Sequence, residues 1–420
     1  MDRPTSEAYQ PRRPSESPRT GQGGTGVLTG LRVIDAGTTI AGPFAATLLA
    51  DHGAQVIKIE HPIHGDPLRQ WSPMKDGISL WWKVTARNKR AITLDLASPT
   101  GRDIFVRLAT KADAVIENFR PGTFARWGLT YDVLAAANPR LILAHISGYG
   151  QTGPYANRPG YGTVAEALSG VPSFTGFPAN PPTLSAFPLV DELAGVFAAF
   201  GVLAAVYERD TAGSDVGQEI DVSLYEPLFR LTESQVAGYD QLGLIKQRVG
   251  NRLEEDSPRN VYKTRDGKWI AVSASSDRTF ARLAGAIGMP QLAHDARFHR
   301  NPDRIANADI LDDLISRWII ARSADEVLDA FEAADVVAGP IYTIEDIFDD
   351  PHYRARGSII AVEDPDFGSV KMPAPVPRFS RSPSPVFSSG PRLGQHTEEV
   401  LRELGLTEAE IRAAQAGGAI

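Results

Sequence analysis

Residues 31–62 switch hydrophobic period twice. LRVIDAG (31–37) is a β-branched run halted by glycine, GPFAATLLADHGA (42–54) spaces its apolar residues as a helix does, and QVIKIEHP (55–62) is a second β-branched run closed by proline. Strand, helix and strand within about 30 residues form a βαβ unit, which makes the two strands parallel and the crossover right-handed. The alternation returns with AITLDL (91–96) as strand, GRDIFVRLATKA (101–112) as helix and DAVIEN (113–118) as strand. After helical stretches near 122–137, LILAHISG (141–148) reads as one more buried strand. This repetition predicts an α/β fold whose large domain, over 27–225, is a doubly wound parallel sheet of Rossmann-like form.

Downstream, the Gly/Pro-rich GYGQTGPYANRPGYG (148–162) precedes a helix expected at 163–170. A second loop, 174–189, leads into ELAGVFAAFGVLAAVYERD (192–210), a helix rich in small residues and suited to close packing. QEIDVSLYE (218–226) reads as a further strand. The texture then changes. NVYKTRDGKWIAVSA (260–274) predicts a hairpin turning at Asp266–Gly267, with helices at about 278–288, 306–321 and 324–335. Residues 226–345 are therefore expected to form a smaller α+β domain. Residues 346–420, with a hairpin over 358–373 and an amphipathic helix over 397–406, are expected to return to the large domain. A length of 420 residues suits two or three domains. Residues 1–26, rich in Pro, Gly, Ser and Arg, cannot bury enough apolar surface to order themselves and read as a disordered tail.

Composition closes several chemistries. There is no cysteine, which excludes disulfides, thiolate zinc and a cysteine nucleophile. With 43 basic against 51 acidic residues the net charge is −8, so a whole-protein basic field for nucleic acid is absent. The longest apolar run, Leu193–Tyr207, is 15 residues, shorter than the roughly 20 that span a bilayer. No apolar stretch follows Arg12–Arg13, so no export signal is read there. The expectation is a cytoplasmic protein with neither nucleic-acid nor membrane partners.

Glu60 ends the second strand where an acidic residue would hold a ribose, yet the turn DAGTTIAGP lacks GxGxxG, which sets nicotinamide and flavin aside. No GxSxG follows a strand, and no P-loop is present. His61 and His64 sit in a loop beside Pro62 and Gly65 without a ligand set, so no metal site is expected. What remains is Asp191, placed after FPLV and before a long apolar helix. On one reading it is an ordinary capping aspartate. On the other, the unpaired N–H groups and positive end of the helix keep it ionised between two Gly-rich loops, where it can act as a nucleophile.

Several longer segments decide between these readings. LTGLRVIDAGTTIAGPFAATLLADHGAQVIKIEHP, NKRAITLDL, VIENFRPGTFARWGL and NPRLILAHISGYGQTGP occur in that order, followed by RPGYGTVAEALSG, the aspartate before the apolar helix, and GQEIDVSLYEPL. Together they resemble the family III CoA-transferases over roughly residues 28–400. That family includes formyl-CoA:oxalate transferase, carnitine CoA-transferase and α-methylacyl-CoA racemase. The resemblance implies that Asp191 is the catalytic nucleophile and that an acyl-CoA is the substrate, with no tightly bound cofactor or metal. It further implies an interlocked homodimer. It puts Asn118, Phe119, Arg120 and Arg126 around the CoA nucleotide, and Leu94 and Ala97 beside the adenine. Ile40 and Ala41 fall beside the pantetheine and thioester, and Tyr161 is the active-site tyrosine.

Two positions depart from the oxalate-using branch. Ile40 stands where that branch has glutamine, and Gly162 where it has a glutamate after the tyrosine. The small domain also lacks a run of consecutive glycines to act as a lid, so oxalate is not the expected acceptor. The racemase branch needs a His–Asp pair at Tyr161–Gly162 to move an α-proton, and neither is present. Transfer is therefore expected over racemisation or isomerisation, and the intact Asp191 argues against a noncatalytic CoA-binding protein. By resemblance to the dicarboxylate branch, succinyl-CoA is the expected donor. A small carboxylic or dicarboxylic acid such as citramalate or mesaconate is the expected acceptor.

Overall fold

Six short strands pair into one parallel sheet: β1 (Arg32–Asp35), β2 (Gln55–Glu60), β3 (Lys89–Thr93), β4 (Ala114–Glu117), β5 (Ile142–Ser147) and β6 (Glu219–Ser223). Their order is β3-β2-β1-β4-β5-β6, with every neighbouring pair parallel. The winding direction reverses between β1 and β4, so a crevice opens beyond the carboxyl ends of those two strands. This computed structural model describes residues 26–420, and the expected tail otherwise lies outside the described residues. Gly26, the last residue of that expected tail, belongs to the fold: a Cβ on it would lie 2.2 Å from the His52 carbonyl oxygen. The strand read at 91–96 starts two residues earlier and stops at Thr93.

The central strands β1, β4 and β5 are mostly buried on both faces because both are covered, whereas the edge strand β6 exposes Glu219 and Asp221. Val33, Val56, Ala114 and Ile116 pack under α1 (Ala41–Asp51) and the long helix Leu189–Tyr207. Ile34, Ile59, Val115 and Leu143 pack under α2 (Pro99–Ala109) and the terminal helices Thr397–Glu403 and Glu408–Ala416. A short helix, α3 (Gly162–Leu168), precedes the long helix Leu189–Tyr207, α4. Small residues let α4 meet α1 backbone to backbone: a Cβ on Gly195 would lie 2.9 Å from the Ala41 carbonyl oxygen. Counted with its continuation to Ala212, this helix is long and apolar enough to cross a membrane. Its buried side, from Val190 through Ala194, Ala198 and Val202 to Ala205, packs on the sheet and α1, while Val196, Phe200 and Tyr207 on the other side are exposed.

A separate apolar cluster runs from Tyr262 to Val336. Here the expected hairpin forms from β7 (Arg259–Lys263) and β8 (Trp269–Ser273), and β9 (Ala338–Pro340) adds an antiparallel edge. A three-residue strand of Ala, Gly and Pro carries no hydrophobic period, so periodicity does not reveal it. The hairpin β10 (Ile359–Asp364) and β11 (Gly368–Pro373) follows, and the chain then runs back to the large sheet. Trp82 donates its indole N–H to the Pro391 carbonyl at 2.8 Å, and Lys83 reaches Asp364 at 2.9 Å and Asp366 at 2.7 Å.

Four buried charges meet beside the end of β1: Asp35 closes β1, Lys58 lies within β2, Lys89 opens β3 and Asp66 follows β2. Lys58 Nζ is 3.0 Å from Asp66 Oδ2 and 3.7 Å from Asp35 Oδ1, and it also donates to the Gly37 carbonyl. Lys89 Nζ is 2.9 Å from Asp35 Oδ2 and donates to the Pro43 carbonyl at 2.6 Å. Burial works to lower the Lys58 pKa, but Asp35, Asp66 and Glu60 outweigh it and hold it above the ordinary lysine value. Burial wins at Lys89, whose pKa is lowered in spite of Asp35. Lys58→Met keeps the bulk but leaves two buried carboxylates short of a partner. We expect it to destabilise the protein by about 3–5 kcal/mol in urea unfolding, whereas a change within a few tenths would mean that water already solvates the cluster.

Candidate active site

The loop after β1 is built by close approach. A Cβ on Gly37 would lie 2.9 Å from Asn118 Oδ1 and 3.0 Å from the Gly42 Cα. The two glycines of DAGTTIAG therefore let the loop fold onto the end of β4, a different task from cradling a diphosphate. Asn118 accepts the Thr38 N–H at 2.6 Å and donates to the Thr38 carbonyl at 2.9 Å. Thr39 adopts a positive φ of 65°, and both oxygens of Asp66 accept its N–H, at 2.9 and 3.1 Å. The buried charges thus hold the backbone that delivers Ile40 and Ala41 to the start of α1.

Asp191 is in the first turn of α4, as expected, but it does not cap the helix. Pro188 occupies the cap position, and its carbonyl accepts the Glu192 N–H at 3.0 Å. The Asp191 carboxylate lies against the start of α3 instead: a Cβ on Gly162 would sit 2.0 Å from Oδ2 and 3.0 Å from Cγ. Only glycine leaves this space. Glu166, one turn along α3 and buried, accepts from both the N–H and the hydroxyl of Ser185 at 2.8 Å, which ties the loop before α4 to α3. Burial pushes the Asp191 pKa up to about 6, against its own N–H and with help from the neighbouring Glu192. A helix end that holds the group ionised is the expectation from its position; desolvation is the stronger effect. At pH 7 the carboxylate is still about nine-tenths ionised.

Two groups of the expected residues come together. Ala41 touches α4 at Gly195, one turn beyond Asp191, while Tyr161, 76% exposed, stands at the start of α3. On the other side of the Thr38–Asn118 pair, Phe119 stacks on Phe124 and meets Trp127 edge-on at 5.0 Å. Arg120 and Arg126 are exposed on either side of the Gly122 turn. Arg126 donates to Thr123 Oγ1 at 2.8 Å, and neither arginine makes an ion pair among the described residues. The Ile40 side chain packs with Leu68 and Trp82, and the Leu94 side chain lies in the core, so at both positions it is backbone that is left to meet a ligand. Ala97 is exposed on the loop after β3. His61 and His64 stack on each other at 4.7 Å in their loop. Nothing in the sequence pattern points to Glu166 or Gly195. Gly162 stands out there only as a departure from the oxalate-using branch, and its contact with Asp191 is visible only in three dimensions.

The described residues thus hold a desolvated carboxylate at the start of α4 and two exposed guanidinium groups without ion pairs on the turn after β4. Residues 28–397 match the model of CoA-transferase family III. The chain is 45% identical over 391 residues to the succinyl-CoA–D-citramalate CoA-transferase of Chloroflexus aurantiacus, covering 93% of this chain and 97% of that one. It is 42% identical over 389 residues to the β subunit of the succinyl-CoA–L-malate CoA-transferase of the same organism, covering 91% and 96%. The crystal structure of a CAIB/BAIF family protein from Brucella suis superposes with a TM-score of 0.81 at 33% identity, covering 90% of this chain and all of that one.

The raised pKa has a sign for stability. Asp191 ionises near 3.8 when unfolded and near 6 when folded, so the native state bears the cost of the charge fully above pH 6 and not at all below 3.8. Asp191→Asn should therefore raise stability at pH 7.5 by on the order of 2 kcal/mol, allowing for the solvent that still reaches the group. Denaturation at several pH values checks it: the gain should shrink between pH 6 and 4. An Asn variant less stable than wild type at pH 7.5 would show the carboxylate to be well solvated.

Proposed function

The chain belongs to CoA-transferase family III, and on that premise we propose that it moves CoA from succinyl-CoA to a small dicarboxylic acid of the citramalate or malate kind, with Asp191 as nucleophile. The observation that carries the role of Asp191 is its carboxylate, poorly solvated, uncommitted to capping, and lodged in the space that Gly162 leaves open. A carboxylate with few hydrogen bonds is a stronger nucleophile than one in water.

The steps balance without an external acid or base. An Asp191 oxygen adds to the thioester carbonyl, the C–S bond breaks, and CoA leaves as thiolate from a mixed anhydride. The thiolate attacks the Asp191 acyl carbon, which forms an aspartyl-CoA thioester and releases the donor as carboxylate. The acceptor carboxylate then attacks that thioester and expels the thiolate. The thiolate finally takes the acceptor's acyl carbon, which frees Asp191 as it began. Keeping water out of the crevice preserves the thioester's free energy through both anhydrides. Arg120 and Arg126 are suited to the CoA phosphates, since guanidinium pairs with them through two N–H groups and neither must first leave a carboxylate.

We also read the chain as a homodimer. Phe200 on α4 is 70% exposed, and Tyr207, Tyr239, Leu242 and Ile245 are 62–72% exposed, an apolar surface that a second copy would cover.

Two measurements test the assignment. With succinyl-CoA as donor, CoA should pass to citramalate or malate, and hydroxylamine should then trap an aspartyl hydroxamate at residue 191. Asp191→Ala should lose transfer and trapping together while binding CoA normally; activity near wild type in that variant would sink the role of Asp191. Gly162→Ala places its methyl where the carboxylate lies, so turnover should fall by at least about 100-fold with CoA affinity kept. Unchanged turnover would show that the carboxylate works from another position.

A further inference from the structure

The turn carrying Asn118, Phe119 and Arg120 is held from behind by a charged trio that the transfer steps do not use. Glu117, the last residue of β4, is 3% exposed and follows Val115 on the face of the sheet opposite α4. Its Oε2 accepts the Phe119 N–H at 2.6 Å, which fixes the start of the turn. Its Oε1 bonds His145 Nδ1, the register partner on β5. The other ring nitrogen, Nε2, faces Glu219 Oε1 on β6 at 3.2 Å.

Burial raises the pKa of Glu117, against the pull of His145 and of the Phe119 N–H. With both carboxylates ionised, the imidazole between them must donate from both nitrogens, and only the imidazolium has two N–H groups. Burial works to remove that proton, but Glu117 and Glu219 outweigh it and hold the His145 pKa above its ordinary value. The remaining ionisable groups on this flank are otherwise engaged or weaker. Asp221, level with His145 on β6, accepts the Gln151 N–H at 2.8 Å. Tyr131, on the helix Tyr131–Ala137, is pushed up by burial and then by Glu219 and Asp132.

We propose that Glu117 and His145 are positioning residues for CoA: imidazolium fixes Glu117, Glu117 fixes the Phe119 N–H, and the turn thereby presents Arg120 to the nucleotide. Loss of the His145 proton as pH rises breaks one of its two bonds, loosens the turn and weakens CoA binding without touching Asp191. This rests on the reading of Asn118–Arg126 as the nucleotide segment.

Calorimetric titration of the full-length protein with desulfo-CoA, which lacks the titrating thiol, tests it between pH 6.5 and 9. Wild-type affinity should fall as pH rises. Glu117→Gln and His145→Ala should bind about tenfold more weakly at pH 7 and lose most of that dependence, since a charge-assisted bond is removed. His145→Asn, whose amide nitrogen sits where Nδ1 was, should recover most of the affinity and remain flat with pH. In turnover assays the same variants should raise the KM for the CoA ester and leave kcat and the KM for the acceptor acid within about twofold. Arg120→Ala and Arg126→Ala serve as the reference. If they weaken binding while the near-isosteric Glu117→Gln and His145→Asn both match wild type at every pH, the positioning role is wrong and the nucleotide segment stands. If the arginine variants bind as wild type does, it is the nucleotide reading that fails. Should His145→Ala not fold, the Asn and Gln variants decide the question in the same way.

Discussion

Two lysines and two aspartates buried at one end of a parallel sheet determine the shape of everything around them. A strand covered on both faces has no room for charge unless charge meets it there. Lys58 on β2 and Lys89 on β3 bring two positive groups, and Asp35 on β1 and Asp66 in the loop after β2 bring two negative ones. All four also bond to backbone: Lys58 and Asp35 to Gly37, Lys89 to Pro43, Asp66 to Thr39. The loop from Gly37 to Pro43 is therefore held at three points by groups that cannot move without exposing a bare charge. Glu60 extends the arrangement, since it pairs with Arg69, which stacks on Trp82 at 3.7 Å and reaches the Pro391 carbonyl at 3.1 Å. The segment that comes back from the end of the chain is thus fastened to the same cluster.

The strands and helices of the large sheet are legible in the sequence because hydrophobic period is a local property. QVIKIE reads as a strand whether or not one knows what Lys58 meets. What Lys58 meets is not legible, because Asp66 lies in a loop further along and Asp35 on another strand. A lysine inside a β-branched run nevertheless signals that a buried partner must exist. The same limit applies at the site. The position of Asp191 before an apolar helix is plain in the sequence, but the environment of its carboxylate depends on α3, earlier in the chain, and on the missing Cβ of Gly162. Resemblance to a family singles out Ile40 and Leu94 along the chain, yet which of their atoms face outward is a matter of packing: both side chains turn inward.

A net charge of −8 is at first sight ill suited to a ligand that carries several phosphates. The resolution lies in how the cations are distributed. Many arginines of the large domain are already engaged, among them Arg69 with Glu60, Arg87 with Asp51 and Arg209 with Asp113 and Asp210. Arg120 and Arg126 stand apart from this pattern, exposed, with no ion pair among the described residues, on a turn whose backbone is fixed by Asn118 and Glu117. A guanidinium that is ionically unpaired and already positioned gives up less to bind a phosphate than one that must abandon a carboxylate first. On the proposed reading, local placement matters more to CoA affinity than total charge.

At the proposed nucleophile, fold stability and chemistry pull in opposite directions. Burial against α3 makes the Asp191 carboxylate costly to ionise, and the fold tolerates that cost at neutral pH. The same lack of solvent leaves the oxygen lone pairs free to attack a thioester, and each complete cycle of the proposed transfer returns the group to the same ionised state. Any side chain at position 162 would displace the carboxylate or crowd it. A side-chain cap at position 188 would compete for the N–H groups of the first turn, beside which the aspartate stands. Glycine before α3 and proline before α4 are thus parts of one arrangement: together they keep an acidic side chain at a helix start with little more than its own N–H to set against burial.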